Sequence, residues 1–170
     1  MIHELTGDLL LSKAEVLVHG LAPDDDCKQG LARALRERFP AMHKDFRHWC
    51  RIAAPKPGSI WSWHGVDANG KAVHLIALLT QEPPTHAAGH PGRATTASVN
   101  HALHELRKWI DREQPRSVAL PAIATGVGGL PWNQVAPLLQ SQLSGTTAQI
   151  YVYTRYAPGL AATEPVAVAK

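Results

Sequence analysis

"LPAIATGVGGLPWNQVAPLL", residues 120–139, joins an apolar run, a turn crowded with glycine and a stretch of helical periodicity. Residues 117–123 read as a strand and residues 132–143 as a helix, with Gly126, Gly128 and Gly129 between them. Glycine in such a place serves one of two ends: a plain strand-to-helix turn, or a backbone that something must approach closely. In open α/β sheets ligands gather beyond the carboxyl ends of the strands, where this loop falls. Bare amides there converge on an anion, and the following helix adds the partial positive charge of its N-terminus. Pro131 suits the first helical turn, where its missing N–H costs nothing. A phosphate or diphosphate is the natural guest. The loop continues Gly-Gly-Leu-Pro, so it lacks the Gly-Lys-Ser/Thr ending of a nucleotide-hydrolysing loop. It also comes too late in the chain for a dinucleotide fingerprint, which follows the first strand.

Residues 2–5 and 14–19 read as short strands, and "PDDDCKQG" (23–30) as turn chemistry. Residues 31–39 and 42–52 carry apolar side chains at helical spacing, with Pro40 expected to end the first of these helices. Residues 59–65 and 72–79 flank Asn69-Gly70, a strong hairpin signal. Residues 80–94 form a long loop rich in proline, and a helix is expected from Thr95 to Glu113. A last strand spans 149–154. Strands alternating with helices in the second half imply a parallel sheet covered on both faces; the leading strands and the hairpin make that sheet mixed. The expected organisation is one domain over residues 1–155 and a loosely held C-terminal tail over 156–170.

With 170 residues and 45% apolar composition the chain can bury a core. A formal charge of +3 permits an anionic partner without demanding one. Two cysteines, Cys27 and Cys50, make neither a disulfide framework nor a zinc site, and suit a reducing cytoplasm. The N-terminus has no basic region of a signal peptide, and no apolar run is long enough to span a membrane. No cofactor and no metal is implied; His101 and His104, one helical turn apart, have no third ligand. Trp49, Trp61, Trp63 and Trp109 read as core or contact residues.

Three segments together resemble a macrodomain, the ADP-ribose-binding α/β/α module. They are "TGDLLLSKAEVLVHG" (6–20), "GLARALRERFP" (30–40) and, most specifically, residues 120–139. The context of Trp132 and "HGLAPDDDCKQGLA" (19–32) is similar to the branch holding the terminal ADP-ribose protein glycohydrolases and the DNA ADP-ribosyl glycohydrolase antitoxins. The resemblance implies a three-layer fold with a mixed central sheet. It implies that Asp8, helped by the backbone at Leu9, would meet the adenine amino group. Gly126, Val127, Gly128 and Gly129 would offer amides to the diphosphate, and Thr125 a hydroxyl. His19, Gly20 and Leu21 would line the distal ribose. Tyr153 or Tyr156 would lie on the adenine, although Tyr153 fits a core position equally.

The chain departs from that pattern where the chemistry of the branch resides. A lysine follows the strand and threonine in the glycohydrolases; here Thr80 is followed by Gln81, which has no basic nitrogen. An aspartate found in the glycine loop of some relatives is Gly128 here, and the asparagine that other macrodomains place after the second strand is His19 or Ala22. Asp24, Asp25 and Asp26 would repel a diphosphate unless they point away, and Asp26 suits a helix N-cap. The replacement candidates for acid–base work are His86 and His90 on the long loop. The expected function is binding of ADP-ribose, or of ADP-ribosylated protein or nucleic acid, with removal of the group as a possible further activity. The alternatives are a glycohydrolase with non-standard catalytic residues, or a degenerate macrodomain acting through protein contacts.

Overall fold

The computed structural model describes residues 1–87 and 89–166. Six strands form one mixed sheet in the order β1-β6-β5-β2-β4-β3, with all neighbours parallel except β3, which runs antiparallel to β4. The strands are β1 (Ile2–Gly7), β2 (Val16–Leu21), β3 (Ile60–Val66), β4 (Ala72–Leu79), β5 (Ser117–Pro121) and β6 (Gln149–Tyr156). The helices are α1 (Gly30–Arg38), α2 (Pro40–Ala53), α3 (Thr96–Glu113) and α4 (Trp132–Leu143).

Alternation along the strands assigns the two faces. Val16 and Val18, Ile76 and Leu78, Val118 and Leu120, and Ile150 and Val152 all pack under α3 and α4. Leu75, Ala77 and Leu79 point the other way, into α1 and α2, where Leu35, Met42, Phe46 and Cys50 are buried. Burial on both faces explains why residues 75–79 read as an unbroken apolar run. Trp63 and Trp109 are buried, and Trp49 stacks on Trp61 at 6.0 Å.

The three-layer fold with a mixed sheet is the one the sequence predicts. The hairpin turn is at Asn69-Gly70, with Gly70 at φ +76°. Pro40 is a correction: it does not merely end α1 but begins α2, at the position where a missing N–H is harmless. Strand β5 stops at Pro121, two residues early, because the chain turns there and the Ile123 N–H donates to the Pro121 carbonyl at 2.8 Å. Pro131 stands one residue before its expected place, as the N-cap of α4.

The expected loose tail is the larger correction. Strand β6 runs on to Tyr156, and residues 157–166 then fold back so that Ala162 joins the cluster of Leu9, Tyr151 and Tyr153 on the face of β6 opposite α3 and α4. Leu160 N–H donates to the Ala157 carbonyl at 3.2 Å around Pro158-Gly159, with Gly159 at φ +76°, which is the composition and bond of a type II turn. Glu164 then accepts hydrogen bonds from Ser12 Oγ (2.6 Å), Lys13 N–H (2.8 Å) and Tyr153 Oη (2.9 Å). Residues 167–170 lie outside the described residues.

Candidate functional site

Strands β5, β2 and β4 are neighbours and parallel, so the loops that leave their carboxyl ends meet. Between them is a cavity of about 240 Å³, walled by Asp25, Asp26, Lys28 and Gln29 of the first loop, Gln81 and Pro91 of the second, and Gly126 to Gly128 of the third.

The glycine loop is shaped by close backbone packing. Gly129 N–H donates to the Gly126 carbonyl at 3.0 Å and Leu130 N–H to the Ala124 carbonyl at 3.0 Å. A Cβ at Gly128 would stand 2.7 Å from the Ala124 carbonyl oxygen, so only glycine fits. Ala124 itself adopts φ +62°, a left-handed conformation that an alanine takes only under constraint. The consequence is that the N–H groups of Gly126, Val127 and Gly128 donate to no acceptor among the described residues. Consecutive main-chain amides left without partners form an anion-binding concavity. At Gly126, which lines the cavity, an added Cβ would meet nothing within 4 Å.

The acids of the first loop are disposed so that they do not face an anion bare. Asp25 is buried and turned inward: its two oxygens accept from Ala22 N–H (3.1 Å) and Cys27 N–H (2.8 Å), and burial pushes its carboxyl above the usual range. Arg47 and Arg36 donate to the carbonyls of Asp24 and Asp26, each at 2.8 Å, fixing the loop to the helices. Asp26 does not cap α1; Gln29 holds that position, and Asp26 pairs with Lys28 at 3.6 Å. Lys28 thus places a cation on the cavity wall. Sequence reasoning missed it because its meaning depends on which way the loop folds.

Of the residues predicted for the site, the structure brings Gly20, Gln81, Gly126, Val127 and Gly128 together around the cavity. Gln81 is buried; its Nε2 donates to the Gly92 carbonyl at 3.1 Å and closes the base of the long loop. The other predicted residues lie elsewhere. Leu21 is in the core under α2. Thr125 Oγ1 donates to the Ala122 carbonyl at 2.6 Å, so its hydroxyl is engaged in the turn. Gly129 faces the Arg93 guanidinium rather than the cavity. His86 is exposed away from the cavity lining, and exposed His90 stands 3.5 Å from Gln29 at the rim. Asp8, Leu9 and Tyr153 are buried beneath residues 157–166, and Tyr156 is exposed. His19 is buried with Nδ1 unpartnered among the described residues, and burial pulls it down to about 4, so its imidazole is neutral. Among the described residues no group of three or more histidine, cysteine, aspartate or glutamate side chains could hold a metal ion.

The family model of the Macro domain matches residues 18–139, which spans all three loops of the cavity. This chain belongs to the macrodomain family. The macrodomain is 26% identical over 154 residues to the DNA ADP-ribosyl glycohydrolase of Thermus aquaticus, an alignment covering 90% of this chain and 41% of that protein. It therefore spans about two fifths of the length of the curated relatives it matches. In structure it is similar to the macrodomain of Mycobacterium tuberculosis DarG, with a TM-score of 0.75, 23% identity, and coverage of 94% of this chain and 99% of that one. It is also similar to Thermosipho africanus DarTG in complex with ADP-ribose, with a TM-score of 0.72, 20% identity, and coverage of 89% and 41%. Among the described residues no helix is long and apolar enough to cross a membrane.

Proposed function

We propose that this macrodomain binds ADP-ribose, free or attached to a macromolecule, with the diphosphate on the amides of Gly126, Val127 and Gly128. The single observation carrying this reading is that these three consecutive donors line a cavity and have no protein acceptor among the described residues. Lys28 supplies a cation on the wall of the same cavity, and Gly20 and Gln81, which also line it, are assigned to the distal ribose. The names of the relatives make ADP-ribosylated DNA the first macromolecule to test, with ADP-ribosylated protein second. Buried, unpaired Cys27 and Cys50 agree with cytoplasmic residence.

Titration calorimetry with ADP-ribose tests the reading, set against Gly126→Glu. The new side chain enters open space, so the fold is retained, and its carboxylate meets the diphosphate. Affinity is expected to fall by about 100-fold, or about 2.7 kcal/mol. No heat with the unmodified chain, or equal affinity in the variant, overturns the placement of the phosphates.

A second reading, cleavage of the ADP-ribosyl bond, is favoured by one pair of groups. Lys28 and Asp26 place an ammonium and a carboxylate 3.6 Å apart on the cavity wall, where Gln81 has neither. In this reading water attacks the distal ribosyl carbon and the bond to the modified group breaks; Asp26 takes the water's proton, the Lys28 ammonium gives one to the leaving group, and Asp26 returns its proton to Lys28. Asp26→Asn is then expected to retain ADP-ribose binding and lose product formation from ADP-ribosylated DNA. Unchanged turnover in that variant removes Asp26 from the mechanism.

A further inference from the structure

The sheet order places β6 and β1 beyond β5 on the side away from β2 and β4. With strands about 4.8 Å apart, the carboxyl end of β1 lies roughly 10 Å from that of β5. A ligand whose diphosphate sits on Gly126 to Gly128, with one arm toward Gly20 and Gln81, runs its other arm toward Tyr156 and Asp8. At that end lies Asp8, which the macrodomain resemblance sets, with the backbone of Leu9, against the amino group of the base. In this chain Asp8 is buried and already engaged: its Oδ1 accepts from Leu10 N–H at 3.0 Å, and residues 159 and 160 take up its Oδ2 and N–H. Gly159 N–H donates to Asp8 Oδ2 at 3.0 Å, and Asp8 N–H donates to the Leu160 carbonyl at 2.8 Å.

The covering segment is built in. Gly7 has no room for a side chain: a Cβ there would stand 2.9 Å from the Leu160 carbonyl oxygen and 3.0 Å from Ala162 Cβ. Ala162 packs against the cluster that Leu9, Tyr151 and Tyr153 form with Ala119. Glu164 ties the segment to Ser12, Lys13 and Tyr153, and Tyr151 Oη donates to the Pro165 carbonyl. The cavity correspondingly ends before Asp8 and, at about 240 Å³, falls below the range of about 300–1,000 Å³ usual for small-molecule sites.

We propose that residues 157–166 are a specificity-determining strap, whose Gly159–Leu160 peptide holds Asp8 in place of a nucleobase edge. As built, the groove grips the ribosyl-diphosphate half of its ligand and does not read the base; base recognition requires the strap to lift. This inference rests on the binding function proposed above.

Full-length protein, Glu164→Ala and Gly7→Ala are titrated with three probes: ADP-ribose, its hypoxanthine counterpart inosine diphosphate ribose, and ribose 5-phosphate. Glu164→Ala removes three hydrogen bonds from an exposed segment, and Gly7→Ala wedges the strap from below. The unmodified chain is expected to bind the two dinucleotide-like probes equally. Both variants should gain at least about fivefold for ADP-ribose, because the competent population rises, with ribose 5-phosphate unchanged. The hypoxanthine probe, which sets a carbonyl against the Asp8 carboxylate, should gain less. Adenine preference in the unmodified chain, or unaltered ADP-ribose affinity in Glu164→Ala, overturns the strap while leaving the binding function standing. Failure of all three probes on all three proteins overturns the binding function, and the strap with it.

Discussion

At the end of β5 three consecutive amides have no protein acceptor among the described residues, whereas at the end of β1 the amide and carboxylate of Asp8 are both bonded to the strap. Both regions are turns after parallel strands, and both depend on a glycine that tolerates no Cβ, Gly128 in one and Gly7 in the other. They differ in what the missing side chain makes room for. At Gly128 the loop folds on itself through the Ala124 carbonyl and leaves its donors outward. At Gly7 a segment about 150 residues distant in sequence is admitted; it accepts from the Asp8 N–H and donates to the Asp8 carboxylate. A glycine marks close approach; only the identity of the approaching group separates a ligand site from a packing contact.

The contrast breaks most severely at Gly128. Gly128→Val sets a branched side chain where a Cβ alone already lies 2.7 Å from the Ala124 carbonyl oxygen, so the loop must rearrange. ADP-ribose affinity should drop by more than about 100-fold, over about 2.7 kcal/mol, in calorimetry. Retained affinity would show that the three amides do not carry the ligand.

Acid sharpens the open end. His19 lies on β2 beside Gly20, and burial lowers it to about 4, below the 6.5 of an unfolded histidine. The unfolded chain therefore binds the extra proton first, so the contribution is complete above pH 6.5 and is lost as pH falls toward 4. Between pH 7 and 5 this amounts to about 2 kcal/mol. His19→Asn should flatten that part of a urea-denaturation stability profile against pH; His74, half-buried and also lowered to about 4, contributes a slope of the same sign that remains. An unchanged profile would place the acid sensitivity elsewhere.

The smallest effect is at the closed end. Tyr153→Phe deletes the hydroxyl that donates to Glu164 at 2.9 Å, and should cost about 1 kcal/mol in the same denaturation assay. Ribose 5-phosphate affinity should not move. A loss of ribose 5-phosphate binding would join the two ends into one site.

The alternation of strands and helices, the turn at Asn69-Gly70, the bounds of α4 and the glycine loop were all legible in the sequence, because periodicity and turn chemistry act over a few residues. Gln81 in place of a lysine was legible too, since it is a matter of residue identity. What could not be read there is the partner each polar group finds. The Thr125 hydroxyl turns back to Ala122, Asp25 folds inward onto Ala22 and Cys27, and His86 stays clear of the cavity. Pro158-Gly159 announces a turn in a tail without other pattern, but not that the turn delivers a peptide to Asp8. Local elements follow from local interactions that the order of residues contains. Which donors remain free for a ligand is decided only when segments distant in the chain compete for them, and that competition is settled by the packed tertiary structure.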